Sequence, residues 1–268
     1  MKTDVLGIDG KKQGSVELPE QFNEDYRPDL IRRAVLSIQS HKRQPYGTMP
    51  EAGKRPSAKT SKRRRQYRGS YGKGISRVPR KVHSRNGSQM NWVGAFAPGT
   101  VGGYAAHPPK SWRVWDLKIN DKERKKALRS AIAATAMKEV VLARGHKSAH
   151  VPLVADTKIE SISKTSEAKK LVESLGLKGE LVRCEDNKVR AGKGKNRGRK
   201  YKTKKGVLFV VSGKCHLLDA AKNLPGVDIA IVSSLNAELL APGYLPGRIT
   251  VWSEKAIERL AKEKLFLK

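Results

Sequence analysis

Residues 207–211 form the uninterrupted apolar run VLFVV, and residues 229–232 form a second one, IAIV. Short apolar runs without polar alternation are typical of strands covered on both faces, as in a parallel sheet. Segments with helical apolar periodicity alternate with these runs, which is the pattern of βαβ units. The sequence therefore predicts an α/β fold with a mostly parallel central sheet flanked by helices.

The remaining elements follow from periodicity and turn signals. We expect a hairpin at 4–18 and strands at 151–154, 180–184, 207–211, 229–232 and 249–252. We expect helices at 29–40, 121–143, 165–175, 217–223 and 254–265. Asn120 precedes the second helix and Glu123 follows three residues later, which predicts a capping box.

One long segment interrupts this pattern. Residues 44–110 show neither helical nor strand periodicity and are rich in glycine and proline. From Arg43 to Lys110 there are fifteen basic residues and one acid, Glu51, which gives a net charge of +14. Such a composition cannot bury enough apolar surface to offset its conformational entropy. We therefore expect one globular domain, 1–43 with 111–268, that carries a long extended internal loop, 44–110, ordered by an external anion.

The whole chain is also strongly basic. Its 268 residues contain 56 Lys and Arg against 25 Asp and Glu, a formal net charge of +31. A field of this size indicates a polyanionic partner, with nucleic acid as the first interpretation and an anionic membrane surface as the second. No apolar run reaches eighteen residues and the start lacks an apolar signal core, so neither a membrane span nor secretion is expected. Two cysteines are consistent with a reducing compartment.

The residue types of the loop favour RNA. Lysine and arginine neutralise phosphates, whereas tyrosine and tryptophan stack on unpaired bases. A solvated face or a disordered tail is the alternative, but the segment is internal and tethered at both ends. The residues predicted to contact RNA are Arg43, Lys54, Arg55, Lys59, Lys62, Arg63, Arg64, Arg65, Arg68, Lys73, Arg77, Arg80, Lys81, Arg85 and Lys110.

A second basic run lies within residues 186–206. A phosphate-binding loop would need glycine where Arg197 stands, and the dinucleotide pattern fails by one residue at its third glycine. Both motifs also lead from a strand into a helix, whereas this run leads into a predicted strand. We therefore expect a second RNA-contacting loop. Its predicted contact residues are Lys193, Lys195, Arg197, Arg199 and Lys200.

No catalytic or metal-binding set is evident in the sequence. Cys215 and His216 are adjacent, so on a helix their side chains would point about 100° apart. The six histidines show no paired metal spacing with the cysteines. We expect no enzyme activity, no cofactor and no metal. An RNA-processing enzyme or assembly factor on a Rossmann-like scaffold and a chromatin-like DNA-binding protein are the rival hypotheses.

Several stretches resemble the universal large-subunit ribosomal protein four family in its archaeal form. They extend from Leu18 to Glu254, over nearly the whole chain. The matching stretches are LPEQF (18–22), RPDLIRRAV (27–35), AHPPK (106–110), NDKERKKALRSAIAATA (120–136), RGH (144–146), AGKGKNRGRKY (191–201), LFV (208–210), AKNLPGVDIA (221–230) and LNAELLAPGYLPGRITVWSE (235–254). The chain ends soon after the last predicted helix, without the long basic C-terminal extension of the eukaryotic form, which favours the archaeal form.

The resemblance implies a structural constituent of the large ribosomal subunit in the cytoplasm. In this family a Rossmann-like domain sits on the outer side of the subunit, binds ribosomal RNA and helps early assembly. The internal loop threads through the RNA, and its tip lines the nascent-peptide exit tunnel. By position the tip would lie at about 67–77, with Tyr67, Arg68, Tyr71 and Lys73 facing the tunnel. The implied partners are large-subunit RNA, neighbouring ribosomal proteins and the nascent polypeptide, with no membrane and no small-molecule substrate.

Overall fold

The two apolar runs form neighbouring parallel strands in a computed structural model, which describes residues 1–87, 89–146 and 150–267. The strands are β1 Lys2–Leu6, β2 Lys12–Glu17, β3 Arg80–Asn86, β4 Gln89–Gly94, β5 Leu153–Ala155, β6 Lys188–Val189, β7 Tyr201–Lys202, β8 Leu208–Val211, β9 Asp228–Ile231 and β10 Thr250–Ser253. The helices are α1 Pro28–His41, α2 Asp121–Ala136, α3 Lys138–Ala143, α4 Thr165–Ser174, α5 Lys178–Glu185, α6 Leu217–Ala220, α7 Ala237–Leu240 and α8 Glu254–Lys262.

The chain divides into two compact units, which we name for their content. The sheet unit comprises Met1–His41 and Asp116–Lys268, and the basic unit comprises Lys42–Trp115. Among the described residues, the sheet unit contains a six-stranded sheet in the order β2-β1-β5-β10-β8-β9 and a separate pair, β6-β7. In the six-stranded sheet only the edge pair β1–β2 is antiparallel, and the other four pairs are parallel. The predicted α/β class with a mostly parallel central sheet is therefore confirmed.

Successive residues of the central strands enter opposite cores. Val210 and Trp252 belong to a core that also holds residues of α1, α2, α7 and α8. Phe209 and Val251 belong to a second core, with residues of α4, α5 and α6. Because side chains alternate across a strand, these two cores lie on opposite faces of the sheet, so helices flank both faces as predicted. This double coverage explains why the central strands are continuously apolar.

Two secondary-structure predictions for the sheet unit are wrong. The expected strand at 180–184 is part of helix α5. Leu177, directly before the helix, and Leu181 and Cys184 within it are buried at helical spacing, while Val182 is 59% exposed. A stretch of five residues is too short for its apolar pattern to distinguish a strand from a helix. The expected helix at 121–143 is interrupted at Met137, whose backbone is extended, and continues as α3.

The predicted capping box of α2 does not form. Asn120 does occupy the position before the helix, but its side chain makes no capping hydrogen bond. The carboxylate of Asp121 instead forms ion pairs with Arg124 and Lys125 within the same helix. These charged pairs at i,i+3 and i,i+4 stabilise the first turns.

The basic unit contains a hairpin that the sequence interpretation missed. Residues 44–79, all of which the structure describes, form no helix or strand beyond one isolated bridge between Ser61 and Gly69. The expectation of no regular structure is wrong for β3 and β4, which pair as an antiparallel hairpin. The signal was the dipeptide Asn86-Gly87, since Gly87 has a φ of +56° and glycine after asparagine is a strong hairpin signal.

Candidate nucleic-acid interface

The side chains predicted to contact RNA lie on the surface. Of the twenty, only Arg80 and Lys110 are half-buried, and the rest are exposed. Among the residues that the structure describes, none of the twenty forms a salt bridge with a carboxylate. Exposed charges without internal counterions produce a positive field that attracts a polyanion.

Backbone contacts join the two ends of the basic unit. The Thr48 N–H donates to the Pro109 carbonyl at 3.2 Å, and Lys110 Nζ donates to the Pro50 carbonyl at 2.7 Å. Gly53 is buried so tightly that a Cβ there would lie 2.0 Å from the carbonyl oxygen of Ala105. The chain thus runs outward and returns alongside itself, and Lys110 is half-buried because it holds these two limbs together.

A stack of aromatic and guanidinium groups lies near the start of the unit. Tyr46 and Trp115 are stacked, with ring centroids 5.4 Å apart and planes inclined by 15°. The guanidinium groups of Arg43 and Arg113 lie 3.8 and 4.3 Å from the Trp115 ring centroid. The interpretation of the sequence stopped at Lys110 and missed Arg113 and Trp115. The alternation of aromatic and basic residues in SWRVW (111–115) is the signal that would have found them.

Tyr67 and Tyr71, two of the four tip residues, also contact arginines. Tyr67 is 50% exposed, and the guanidinium groups of Arg68 and Arg85 lie 5.5 and 4.7 Å from its ring centroid. Tyr71 accepts a 2.8 Å hydrogen bond from Arg77 Nη1, and the same guanidinium lies 4.8 Å from its ring. These cation–π contacts hold flat guanidinium groups against flat rings, so the surface offers both phosphate-binding forks and stacking faces.

The fourth tip residue, Lys73, contacts the hairpin of the same unit. Its Nζ lies 5.7 Å from the ring centroid of Trp92 in β4, and the Arg80 guanidinium lies 5.4 Å from that ring. Val82 of β3 is the cross-strand partner of Trp92. The hairpin that the sequence interpretation missed therefore supplies the aromatic surface against which Lys73 and Arg80 are placed.

The second basic segment also forms a hairpin. Strands β6 and β7 pair Lys188 with Lys202 and Val189 with Tyr201. The connection contains a 3₁₀ turn, Lys193–Arg197, and its five predicted contact residues are all exposed. Arg190 Nε donates to the Arg199 carbonyl at 3.1 Å, which ties the two arms together without a carboxylate. Like charges on paired strands repel each other, so a polyanion would stabilise this hairpin.

The described residues show no metal-binding cluster and no activated cysteine. Within the part of the chain that the structure describes, no group of three or more His, Cys, Asp or Glu side chains is placed to hold a metal ion. Burial raises the pKa of the Cys184 thiol and of the Cys215 thiol, so both are protonated near neutral pH. None of the described helices has the length and apolar character needed to cross a membrane.

Comparison with known proteins gives a consistent result. Residues 16–263 match the model of the family described as "Ribosomal protein L4/L1 family". The chain is 50% identical over 268 residues to a large ribosomal subunit protein uL4 from Nanoarchaeum equitans, covering 99% of this chain and all of that protein. The proteins of the same name from Methanococcoides burtonii and Archaeoglobus fulgidus are 46% and 44% identical over 265 and 264 residues, with 98% of this chain and 98% and 99% of those proteins covered.

The match covers both units of the molecule. It includes the central sheet from β5 to β10 and the whole of the basic unit. The relatives are archaeal and full-length, so the family resemblance inferred from the residue stretches is confirmed. The chain belongs to the ribosomal protein L4/L1 family.

Proposed function

We propose that this chain is a structural constituent of the large ribosomal subunit that binds large-subunit ribosomal RNA. As a member of a ribosomal protein family, it is a ribosomal protein of the cytoplasm and not an enzyme. The observation that carries the proposal is the set of exposed basic side chains, without carboxylate partners among the described residues, that are interleaved with aromatic rings. Phosphate neutralisation and base stacking use these two residue types.

The proposed mechanism couples ordering of the basic segments to RNA binding. The Rossmann-like sheet is stabilised by its own apolar cores and serves as the anchor. The extended internal loop, 44–110, threads into folded RNA and is fixed there by ion pairing with phosphates. The segment 186–206 contacts RNA at a second place. Binding of both segments early in assembly would hold distant RNA elements together. We therefore propose a role in early subunit assembly.

The tip of the loop is the proposed contact with the exit tunnel. Tyr67, Arg68, Tyr71 and Lys73 would line the tunnel, with the nascent polypeptide and neighbouring ribosomal proteins as partners. A photoreactive amino acid in place of Tyr71 should cross-link to a stalled nascent chain, whereas one in place of Lys170 on α4 should not. Equal cross-linking from both positions would reject this assignment of the tip.

Sedimentation of a cell lysate followed by a high-salt wash of the large subunit tests the main proposal. We expect the chain to remain in the washed subunit, because a loop threaded through RNA cannot leave by ion exchange alone. Release by salt, or migration with precursor particles, would instead favour an assembly factor or an RNA-processing enzyme. Cleavage or methylation of RNA by the pure protein would support the enzyme directly.

A further inference from the structure

A positively charged groove lies in the sheet unit beside the second basic hairpin. Its volume is about 520 Å³, and six of its eleven lining residues are Lys or Arg while none is acidic. Lys188 and Lys202, which pair across β6 and β7, contribute from the hairpin. Arg144 and His146, which follow α3, contribute from a distant part of the sequence. Neither of these two residues belongs to the basic segments identified from the sequence.

Three of the six cations already have carboxylate partners. Arg183 pairs with Glu180, Lys204 with Asp186, and Lys205 with Asp228. The other three, Arg144, Lys188 and Lys202, form no ion pair with any described carboxylate. The groove therefore holds positive charge that the protein itself leaves without a counterion.

Arg144 is the strongest indication that the groove binds an anion. Its guanidinium is half-buried and donates to the carbonyls of Pro242 and Pro246, at 2.8 and 3.5 Å. Burial, together with the nearby positive charges of Arg248 and Arg183, lowers its pKa to about 10. A partly desolvated cation among other cations is unfavourable unless an anion compensates it. The guanidinium has five N–H donors, so donors remain for a ligand.

His146 provides a second, independent sign. Its side chain is 2% exposed, and its Nδ1 lies 2.9 Å from Glu180 Oε2. Among the described residues its Nε2 has no hydrogen-bond partner, although buried polar atoms almost always have one. With Nδ1 bonded to the carboxylate, Nε2 is the ring nitrogen that remains for a ligand.

We propose that this groove binds a backbone phosphate of RNA, held by Arg144 and His146 and flanked by Lys188 and Lys202. The inference rests on the proposed RNA-binding function and extends it to Arg144 and His146, which lie outside both predicted basic segments, whereas Lys188 and Lys202 lie within 186–206. An RNA backbone fits better than a free anion because Lys188 and Lys202 form the base of a hairpin whose exposed basic residues can bind neighbouring phosphates.

The test measures binding of the full-length chain to large-subunit ribosomal RNA at several salt concentrations. Arg144→Gln should weaken binding about tenfold and lower the number of ions released by about one. Lys202→Gln should also lower the ion release by about one, with a smaller loss of affinity. Lys170→Gln, on the exposed side of α4, is the matched control and should bind like the unmodified chain.

Several outcomes would overturn the inference. If Arg144→Gln and Lys202→Gln both bind RNA with unchanged affinity and salt dependence, the groove is not an RNA site. If inorganic phosphate raises the melting temperature of the unmodified chain but not of Arg144→Gln, while RNA binding is unchanged, the groove is a free-anion site. If Arg144→Gln does not fold, the RNA affinity and salt dependence of Lys202→Gln test the inference, because Lys202 is exposed and its substitution should not affect folding. Failure of the unmodified chain to bind ribosomal RNA would instead reject the proposed function.

Discussion

The sheet unit and the basic unit differ in what keeps them ordered. In the sheet unit, Leu208 and Trp252 are completely buried, and Trp252 packs edge-on against Phe22 with centroids 5.1 Å apart. In the basic unit, large side chains such as Phe96 and Trp112 remain 68% and 66% exposed. The apolar area removed from water is the main source of folding free energy, so burial can stabilise the sheet unit, whereas the basic unit gains little from it.

The two units also treat charge differently. Arg248 is fully buried in the sheet unit, where it donates to Asp228 Oδ2 at 2.7 Å and to the carbonyls of Gly206 and Leu239 at 2.7 and 3.0 Å. The arginines of the basic unit instead lie over exposed aromatic rings, as Arg85 lies over Tyr67. The first arrangement uses charge to satisfy buried polar groups, and the second leaves the charge exposed at the surface.

Removal of the basic unit is expected to have the largest effect. The flanking chain ends are close together, because Leu117 N donates to Ser40 Oγ at 2.9 Å and Ser37 Oγ donates to the Leu117 carbonyl at 2.6 Å. Replacing residues 42–115 with a short glycine–serine linker should therefore leave the sheet unit folded. RNA binding should release about 6–8 fewer ions if half of the 17 basic residues in 42–115 contact phosphates. Loss of cooperative unfolding in this variant would show that the sheet unit is not independent.

The buried arginine should give the largest single-residue effect on stability. Arg248→Ala removes the buried one of the two cationic partners of Asp228 and the donor to several buried carbonyls. This change should lower the free energy of unfolding by about 3–5 kcal/mol. Arg124→Ala, which breaks an exposed pair with Asp121, should change it by less than about 1 kcal/mol. Urea titration of both variants measures this difference, and similar midpoints would contradict it.

Truncation of one apolar side chain in each unit compares how much side-chain burial contributes to the free energy of unfolding. Leu208→Ala in β8 should cost about 2–5 kcal/mol, since the site is completely buried. Val93→Ala in β4 should change the free energy of unfolding by less than about 0.5 kcal/mol, since Val93 is 50% exposed. Denaturant titration monitored by circular dichroism is the measurement. A cost at Val93 as large as that at Leu208 would mean that the basic unit has a core of its own.

Acid should destabilise the sheet unit through Glu180. Burial alone would raise the pKa of this carboxyl, but hydrogen bonds from His146 and Arg183 outweigh burial and lower it from 4.5 to about 2. A depressed pKa stabilises the fold above the unfolded value, and this contribution disappears as pH falls from about 4.5 to 2. The loss should be about 2–3 kcal/mol, since one pKa unit corresponds to about 1.4 kcal/mol. Glu180→Gln should flatten this part of the stability profile between pH 5 and 2, and an unchanged slope would rule out Glu180 as the titrating group.

A single exposed arginine should show the smallest effect. Arg64→Ala should leave the melting temperature within about 1 °C, because surface substitutions usually change stability by less than about 0.5 kcal/mol. RNA binding should release about one ion fewer, measured as a shallower dependence of the affinity on salt concentration. Fluorescence anisotropy at several salt concentrations measures this change, with Lys170→Ala as the control. A salt dependence equal to that of the unmodified chain would remove Arg64 from the interface.

The central sheet could be predicted because its signal is local. The runs VLFVV and IAIV indicate doubly covered strands wherever they occur, and the charge of residues 44–110 is visible without coordinates. Local signals failed where a stretch is too short to distinguish a strand from a helix, as at Glu180–Cys184, which belongs to helix α5. Hairpin β3–β4 was not predicted, although Asn86-Gly87 is a turn signal, because the basic and polar residues of its strands show no regular apolar alternation.

The sequence by itself determined the α/β class, the basic segments and the family, because composition, apolar runs and residue stretches are properties of the chain alone. Only the tertiary structure decided which cations are paired and which are left free. Arg248, just before β10, meets Asp228 at the start of β9, twenty residues away in the sequence. Arg144, which follows α3, and Lys202, in β7, line one groove although 58 residues separate them. Such contacts depend on how elements pack, and packing is not encoded in any single stretch.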